Sequence, residues 1–190
     1  MARRRFSALN AVAECARSPH LPVAAQSRLP EQAGKDDPGH PGQPTGMFKH
    51  ILVLCVGNIC RSPTAEYLLR RQLAGRDVRV TSAGLGALVG HPIEGHAMEL
   101  LHEHGMDATQ HRARQVDAEM LREADLVLGM ERRHLLAAAR LAPEASGRLF
   151  LLGKWLEFDG VPDPYRTPRQ AFEEVYGLIE RGVGSWLRYL

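Results

Sequence analysis

From residue 50 onward, apolar positions fall in short continuous runs separated by amphipathic stretches. His50-Ile51-Leu52-Val53-Leu54-Cys55 is a run without alternation, as expected of a parallel strand covered on both faces. Ser62-Pro63-Thr64-Ala65-Glu66 predicts a helix start, with Ser62 as the cap, Pro63 at the first helical position and Glu66 in the first turn. Ala65, Leu68, Leu69 and Leu73 form its apolar stripe, and Gly75 ends it. Residues 78–82 predict a second strand, followed by a loop punctuated by Gly84, Gly86 and Gly90. Ile93, Ala97, Leu100, Leu101 and His104 keep helical spacing up to a stop at Gly105. A helix over 118–124, a strand over 126–128, a helix over 131–141 and a strand over 148–152 follow. After a loop through Pro162-Asp163-Pro164, a last helix puts Phe172, Val175, Tyr176, Ile179, Val183, Trp186, Leu187 and Leu190 on one broad face. Strands alternating with helices predict βαβ units, hence one α/β domain with an open parallel sheet between two helical layers.

Residues 1–46 lack this periodicity, and the Pro/Gly-rich run over 36–46 offers little apolar surface to offset ordering entropy. They are expected to be a disordered extension, with the domain over 47–190 and Met47 as an alternative start. Arg3-Arg4-Arg5 precedes an apolar stretch that Asn10 and Glu14 interrupt, too short for an export signal. The formal net charge is +2, from 24 Lys+Arg and 22 Asp+Glu, without the basic excess expected of a general nucleic-acid binder. Three cysteines, Cys15, Cys55 and Cys60, are too few and too unevenly spread for a disulfide framework, which points to a reducing, cytoplasmic setting. No run approaches the roughly 20 apolar residues that cross a bilayer, so direct membrane insertion is not expected.

The chemistry concentrates where the first strand runs into Cys55-Val56-Gly57-Asn58-Ile59-Cys60-Arg61-Ser62 and then a helix N-terminus. In open α/β sheets the ligand crevice lies at the carboxyl ends of the strands, where this loop sits. Five residues between Cys55 and Arg61 let the backbone curl so that successive N–H groups point inward as an anion nest. Gly57 and Asn58 are residue types that tolerate the left-handed backbone such a curl needs. The following helix adds its dipole and free N–H groups, and Arg61 can close the ring with a guanidinium fork. The positive field favours a Cys55 thiolate, to which Ser62 adds a hydroxyl hydrogen bond. A thiolate in a phosphate cradle points to in-line attack on phosphorus through a phosphocysteine intermediate. Arg61 and the amides can stabilise the transferring charge, so neither metal nor cofactor is called for.

Cys55-Val-Gly-Asn-Ile-Cys-Arg-Ser-Pro63 resembles the signature of the low-molecular-weight protein tyrosine phosphatases. Ser82-Ala83-Gly84, His111-x-Ala113-Arg114-Gln115-Val116 and Asp163-Pro164-Tyr165 agree with it, so the resemblance runs from Met47 to the C-terminus. The stretches 82–90 and Met130-Glu131-Arg132-Arg133-His134 are similar to the bacterial subgroup paired with tyrosine autokinases of capsule and exopolysaccharide export. The resemblance implies a three-layer fold on a four-stranded parallel sheet, with the phosphate-binding loop after the first strand. It also implies Cys55 as nucleophile, Arg61 as phosphate ligand and Asp163 as general acid. The loop residues Val56, Gly57, Asn58, Ile59, Cys60 and Ser62 then contact substrate, and Asn58, Ser62 and His111 support the loop. Cys60 matches a neighbour that forms a reversible disulfide with the nucleophile. The implied partner is a membrane tyrosine autokinase carrying phosphotyrosine, and the enzyme is expected to be a monomer.

The residues bear on some of these roles independently. Asp163 follows the last strand by a loop and can reach the sheet edge that carries Cys55, where a carboxylic acid would protonate a phenolic leaving group; Asp-Pro also suits a plain turn. Tyr165 is placed to wall a slot for an aromatic ring. His91, His96, His102, His104 and His111 lack the spacing of a zinc site. Gly84-x-Gly86 lacks the rest of a dinucleotide fingerprint. The stretch 131–134 reads as a solvated helix face or a docking patch for a phosphorylated tail. Alternatives on the same loop are a protein-arginine phosphatase, an arsenate reductase or a non-catalytic phosphocysteine carrier. Ile59 favours an aromatic substrate over a guanidinium, and arsenate reduction needs redox cysteines downstream of Cys60, where there are none.

Overall fold

The first predicted strand is the axis of the fold. β1 (His50–Cys55) is buried along its whole length and pairs in parallel with a strand on each side. Along the chain follow α1 (Arg61–Gln72), β2 (Arg79–Gly84), α2 (Gly95–Glu103), α3 (Ala118–Glu123), β3 (Leu126–Gly129) and α4 (Arg132–Leu141). A 3-10 turn (Pro143–Arg148), β4 (Leu149–Leu151) and α5 (Arg169–Trp186) complete it. This computed structural model describes residues 48–158 and 160–190, so the expectations for residues 1–46 and the start at Met47 lie outside the described residues.

The sheet has the order β2-β1-β3-β4 with every pairing parallel. Alternate side chains of β1 serve opposite helical layers, which explains its continuous apolar run. Ile51 and Val53 belong to the core that contains Leu68 and Leu69 of α1, Leu101 of α2 and Phe172 and Ile179 of α5. Leu52 and Leu54 belong to the opposite core, with Leu121 of α3, Ala138 of α4 and Ala145. Burial of each such leucine contributes about 1.5–3 kcal/mol. The chain leaves β1 outward to β2 and later returns across it to β3. That reversal opens a crevice beyond the carboxyl end of β1.

Several local expectations are corrected. Helix α1 starts at Arg61 with Cys60 as its N-cap and no side-chain cap, so Ser62 lies within the first turn. Glu66 is beyond that turn and buried at 5% exposure against the sheet. Helix α4 starts at Arg132 rather than at residue 131, and α5 stops at Trp186, although Leu190 still packs into the core. The stretch 131–134 is not a solvated face throughout: His134 is 1% exposed and Glu131 turns toward the crevice, leaving Arg133 outside. Ala138 pulls α4 onto the sheet, and His134, one turn earlier, follows it inward.

Candidate active site

The loop after β1 is built around its sulfur. Cys55 is 2% exposed, Ser62 Oγ lies 2.9 Å from its Sγ, and the Asn58 backbone N–H donates to the same sulfur at 3.3 Å. Asn58 takes the left-handed conformation (φ 57°), while Gly57 does not, so the curl turns on one residue rather than two. The Asn58 side chain secures that conformation. Its Nδ2 donates to Ser62 Oγ (3.0 Å) and Ser82 Oγ (2.8 Å), and its Oδ1 accepts from the Arg114 backbone N–H (2.9 Å). Ser82 in turn donates to the buried Glu66 carboxylate, and His111 Nε2 donates to the Asn58 carbonyl at 2.8 Å.

The end of β2 closes directly on this loop. A Cβ on Gly84 would lie 2.4 Å from the Val56 carbonyl oxygen, a contact no side chain can make. The chain beyond it braces the loop by main-chain bonds: Leu85 N–H to the Cys55 carbonyl, Gly86 to Val56 and Leu88 to Gly57. These bonds deliver Leu88 to the rim.

Arg61 is 2% exposed and binds two carboxylates, Glu131 through Nη1 and Asp163 through Nη2, besides the Val161 carbonyl. Asp163 Oδ1 accepts from the Tyr165 backbone N–H at 3.2 Å. Burial alone would raise the Glu131 carboxyl, but hydrogen bonds from Arg133 and Arg61 outweigh it and hold it below the ordinary value. Burial, reinforced by Glu94, pushes the Cys60 thiol far above its ordinary value, so Cys60 stays protonated.

Together these groups enclose a cleft of about 180 Å³ with Cys55 and Arg61 at its base and Val56, Ile59, Leu88 and Tyr165 around it. Of the expected site residues, Cys55, Val56, Gly57, Ile59, Cys60, Arg61, Asp163 and Tyr165 line it. Asn58, Ser62 and His111 do not; they hold the loop from behind. Sequence reasoning missed Leu88, Gly86, Glu131, Ser82, Glu66 and Arg114. The glycine-punctuated loop over 84–90 was a usable signal for the first two. Glu131 carries no such signal, since the charged run over 131–134 reads as a solvated helix face or a docking patch. Among the described residues no three His, Cys, Asp or Glu side chains converge as a metal site, and no helix is long and apolar enough to cross a membrane.

A loop curled about a buried cysteine sulfur, with an arginine and a carboxyl group in the same cleft, is the arrangement of a cysteine-based phosphatase. Residues 50–190 match the family model for low molecular weight phosphotyrosine protein phosphatase. The low molecular weight protein-tyrosine-phosphatase Wzb of Salmonella typhimurium is 48% identical over 144 residues, covering 76% of this chain and 95% of that protein. The crystal structure of the tyrosine phosphatase Wzb from Escherichia coli K30 with sulphate superposes with TM-score 0.71 at 43% identity, covering 75% of this chain and 98% of that one. Vibrio vulnificus Wzb in complex with benzylphosphonate gives TM-score 0.72 at 39% identity over 75% and 99%. The chain belongs to the low molecular weight phosphotyrosine protein phosphatase family and is a protein-tyrosine phosphatase.

Proposed function

We propose that Cys55 is the nucleophile, Arg61 the phosphate clamp and Asp163 the general acid and base in phosphotyrosine hydrolysis. The observation that carries this reading is the Cys55 sulfur, hydrogen-bonded to Ser62, in one cleft with Arg61 and Asp163. The thiolate attacks phosphorus in line with the phenolic oxygen, so the S–P bond forms as the P–O bond breaks. Arg61 and the N–H groups of residues 56–62 take the charge on the non-bridging oxygens, and Asp163 gives its proton to the departing phenolate. The Asp163 carboxylate then accepts a proton from water, whose oxygen attacks the phosphocysteine, releasing phosphate and restoring the thiolate. A phosphoryl dianion competes with Asp163 for the Arg61 guanidinium, so substrate binding frees the carboxyl for this work.

Ile59 and Leu88 in the cleft wall suit an aromatic ring and give a guanidinium no hydrogen-bond acceptor, which supports phosphotyrosine over phosphoarginine. The substrate we infer is the phosphotyrosine of a membrane tyrosine autokinase of polysaccharide export, met by a monomeric enzyme in the cytoplasm; similarity to the Wzb proteins supports this. We assign Cys60 the reversible disulfide: once a peroxide has oxidised the Cys55 thiolate to a sulfenic acid, the Cys60 thiol attacks that sulfur and water leaves, which spares Cys55 further oxidation. The test compares wild type with Cys55→Ser on an aryl phosphate, then on phosphotyrosine and phosphoarginine peptides. Wild-type turnover, loss of it in the variant and a higher kcat/KM for phosphotyrosine are expected. Equal inactivity of both proteins removes the mechanism, and preference for phosphoarginine removes the substrate.

A further inference from the structure

His134 of α4 is 1% exposed, yet neither of its ring nitrogens has a hydrogen-bond partner. A buried imidazole without partners loses its hydration and regains nothing, so an apolar side chain of similar size would serve packing better. Its surroundings are, however, charged. Nε2 lies 3.6 Å from Glu131 Oε1, the oxygen that accepts Arg61 Nη1 and Arg133 Nη2 at 2.5 and 2.8 Å. The charged groups acting on the ring are Arg61, Glu131, Arg133 and Asp163. Burial first, then Arg61, lowers the imidazole to about 4, so it is neutral at neutral pH. A neutral imidazole carries one N–H, and the nitrogen nearest a carboxylate is Nε2. In the Nε2–H tautomer, the donor stands 3.6 Å from Glu131 Oε1, just beyond hydrogen-bond reach, and a shift of about half an ångström closes the gap.

We propose that His134 is a positioning residue for the phosphate clamp: its Nε2–H bonds to Glu131 as Arg61 turns toward the substrate phosphoryl group. The inference rests on the reading of Arg61 as that clamp. One Glu131 oxygen serves two donors, Arg61 and Arg133, with His134 Nε2 just out of reach, and a phosphoryl dianion draws on the same Arg61 guanidinium. When Arg61 gives up part of its bond, the half-buried Glu131 carboxylate is left with the exposed Arg133 as donor. His134 supplies another without adding charge, so it does not compete with Arg61 for the substrate and does not repel it. Glu131 thereby keeps one orientation with and without phosphate, and Arg61 returns to a fixed point.

The test uses the full chain, an aryl phosphate and inorganic phosphate as competitor. His134→Leu removes the donor at similar size, and His134→Gln restores an N–H. The leucine variant is expected to raise KM and the phosphate inhibition constant together by about tenfold, with kcat within about threefold. The glutamine variant is expected to return both constants to within about threefold of wild type. A packing role alone would shift melting temperature and leave both constants alone; that result overturns the inference, as does a glutamine variant no better than leucine. Should the leucine variant not fold, nitrogen NMR of the wild-type histidine rings decides. The Nε2 signal of His134 moves on saturation with phosphate if the bond closes, and its constancy overturns the inference. A wild-type protein that hydrolyses no aryl phosphate would instead remove the reading of the site.

Discussion

Asn58 Nδ2 donates to Ser62 Oγ at 3.0 Å, and that hydroxyl lies 2.9 Å from Cys55 Sγ. An oxygen already accepting from the amide has its own hydrogen left for the sulfur, so the chain of bonds runs one way and ends on Cys55. The other Asn58 hydrogen is treated alike: Ser82 accepts it and passes its own to Glu66. With His111 on the Asn58 carbonyl and Arg114 on its side-chain oxygen, every polar group of that side chain is engaged. A non-glycine residue in left-handed backbone persists where its surroundings over-determine it, as they do here.

Ser62→Ala deletes the hydrogen given to the sulfur and leaves one Asn58 donor unpaired. Inactivation by iodoacetamide at pH 7 is expected to slow by about tenfold and kcat to fall by about 10–100-fold, because the proposed nucleophile loses a hydrogen bond. KM should change by less than about threefold, since the side chain lies outside the cleft. Alkylation at the wild-type rate would count against this polarity.

Asp163→Asn removes the proposed proton donor at nearly constant shape. For a phosphotyrosine peptide, kcat is expected to drop by about 10²–10³-fold. The drop should shrink for a nitrophenyl phosphate, whose leaving group departs with less help from an acid. Equal losses for both esters in steady-state assays would assign Asp163 another role.

Acid should loosen the fold through His134. The unfolded imidazole takes its proton near 6.5, whereas the folded one waits until about 4. Between those values the unfolded chain binds more protons, so stability is lost as pH falls through the window and levels off below it. The contribution is of order 1–3 kcal/mol. His50, lowered by burial and then Arg79, acts in the same direction. Urea midpoints measured from pH 7 to 4 should fall less steeply in His134→Leu than in wild type.

Gly84→Ala forces β2 and the phosphate loop apart, because the added carbon would overlap the Val56 carbonyl. A loss of about 1–3 kcal/mol in urea unfolding is expected, together with reduced turnover. A well-folded alanine variant with wild-type kinetics would contradict the close approach described above.

The strand–loop–helix unit over 50–72 is legible in the sequence because each residue type there has a local reason. Apolar residues cover both faces of β1, and the Cys-to-Arg interval fits one curl. What escapes is decided by distance in space. Ser62 reads as a cap because serine usually caps a helix, but α1 begins one residue earlier and its hydroxyl serves the sulfur. Glu66 reads as a first-turn acid, yet Ser82, 16 positions on, claims it. Glu131 and His134 sit in a run of charges that resembles a wet surface; Arg61, 70 positions before Glu131, draws that carboxylate inward, and the packing of α4 through Ala138 carries His134 in. Asp163 is found by reasoning because it follows a predicted strand; Leu88 is not, because nothing local tells a rim leucine from a loop leucine.

Each of the four strands hands one component to the crevice: Cys55 after β1, the stretch 85–88 after β2, Glu131 after β3 and Asp163 after β4. The stretch after β2 steadies its neighbour through peptide groups, so that bracing does not depend on the side chain at Leu88. A substitution at Leu88 is therefore expected to reshape the mouth of the cleft while those main-chain bonds stay in place.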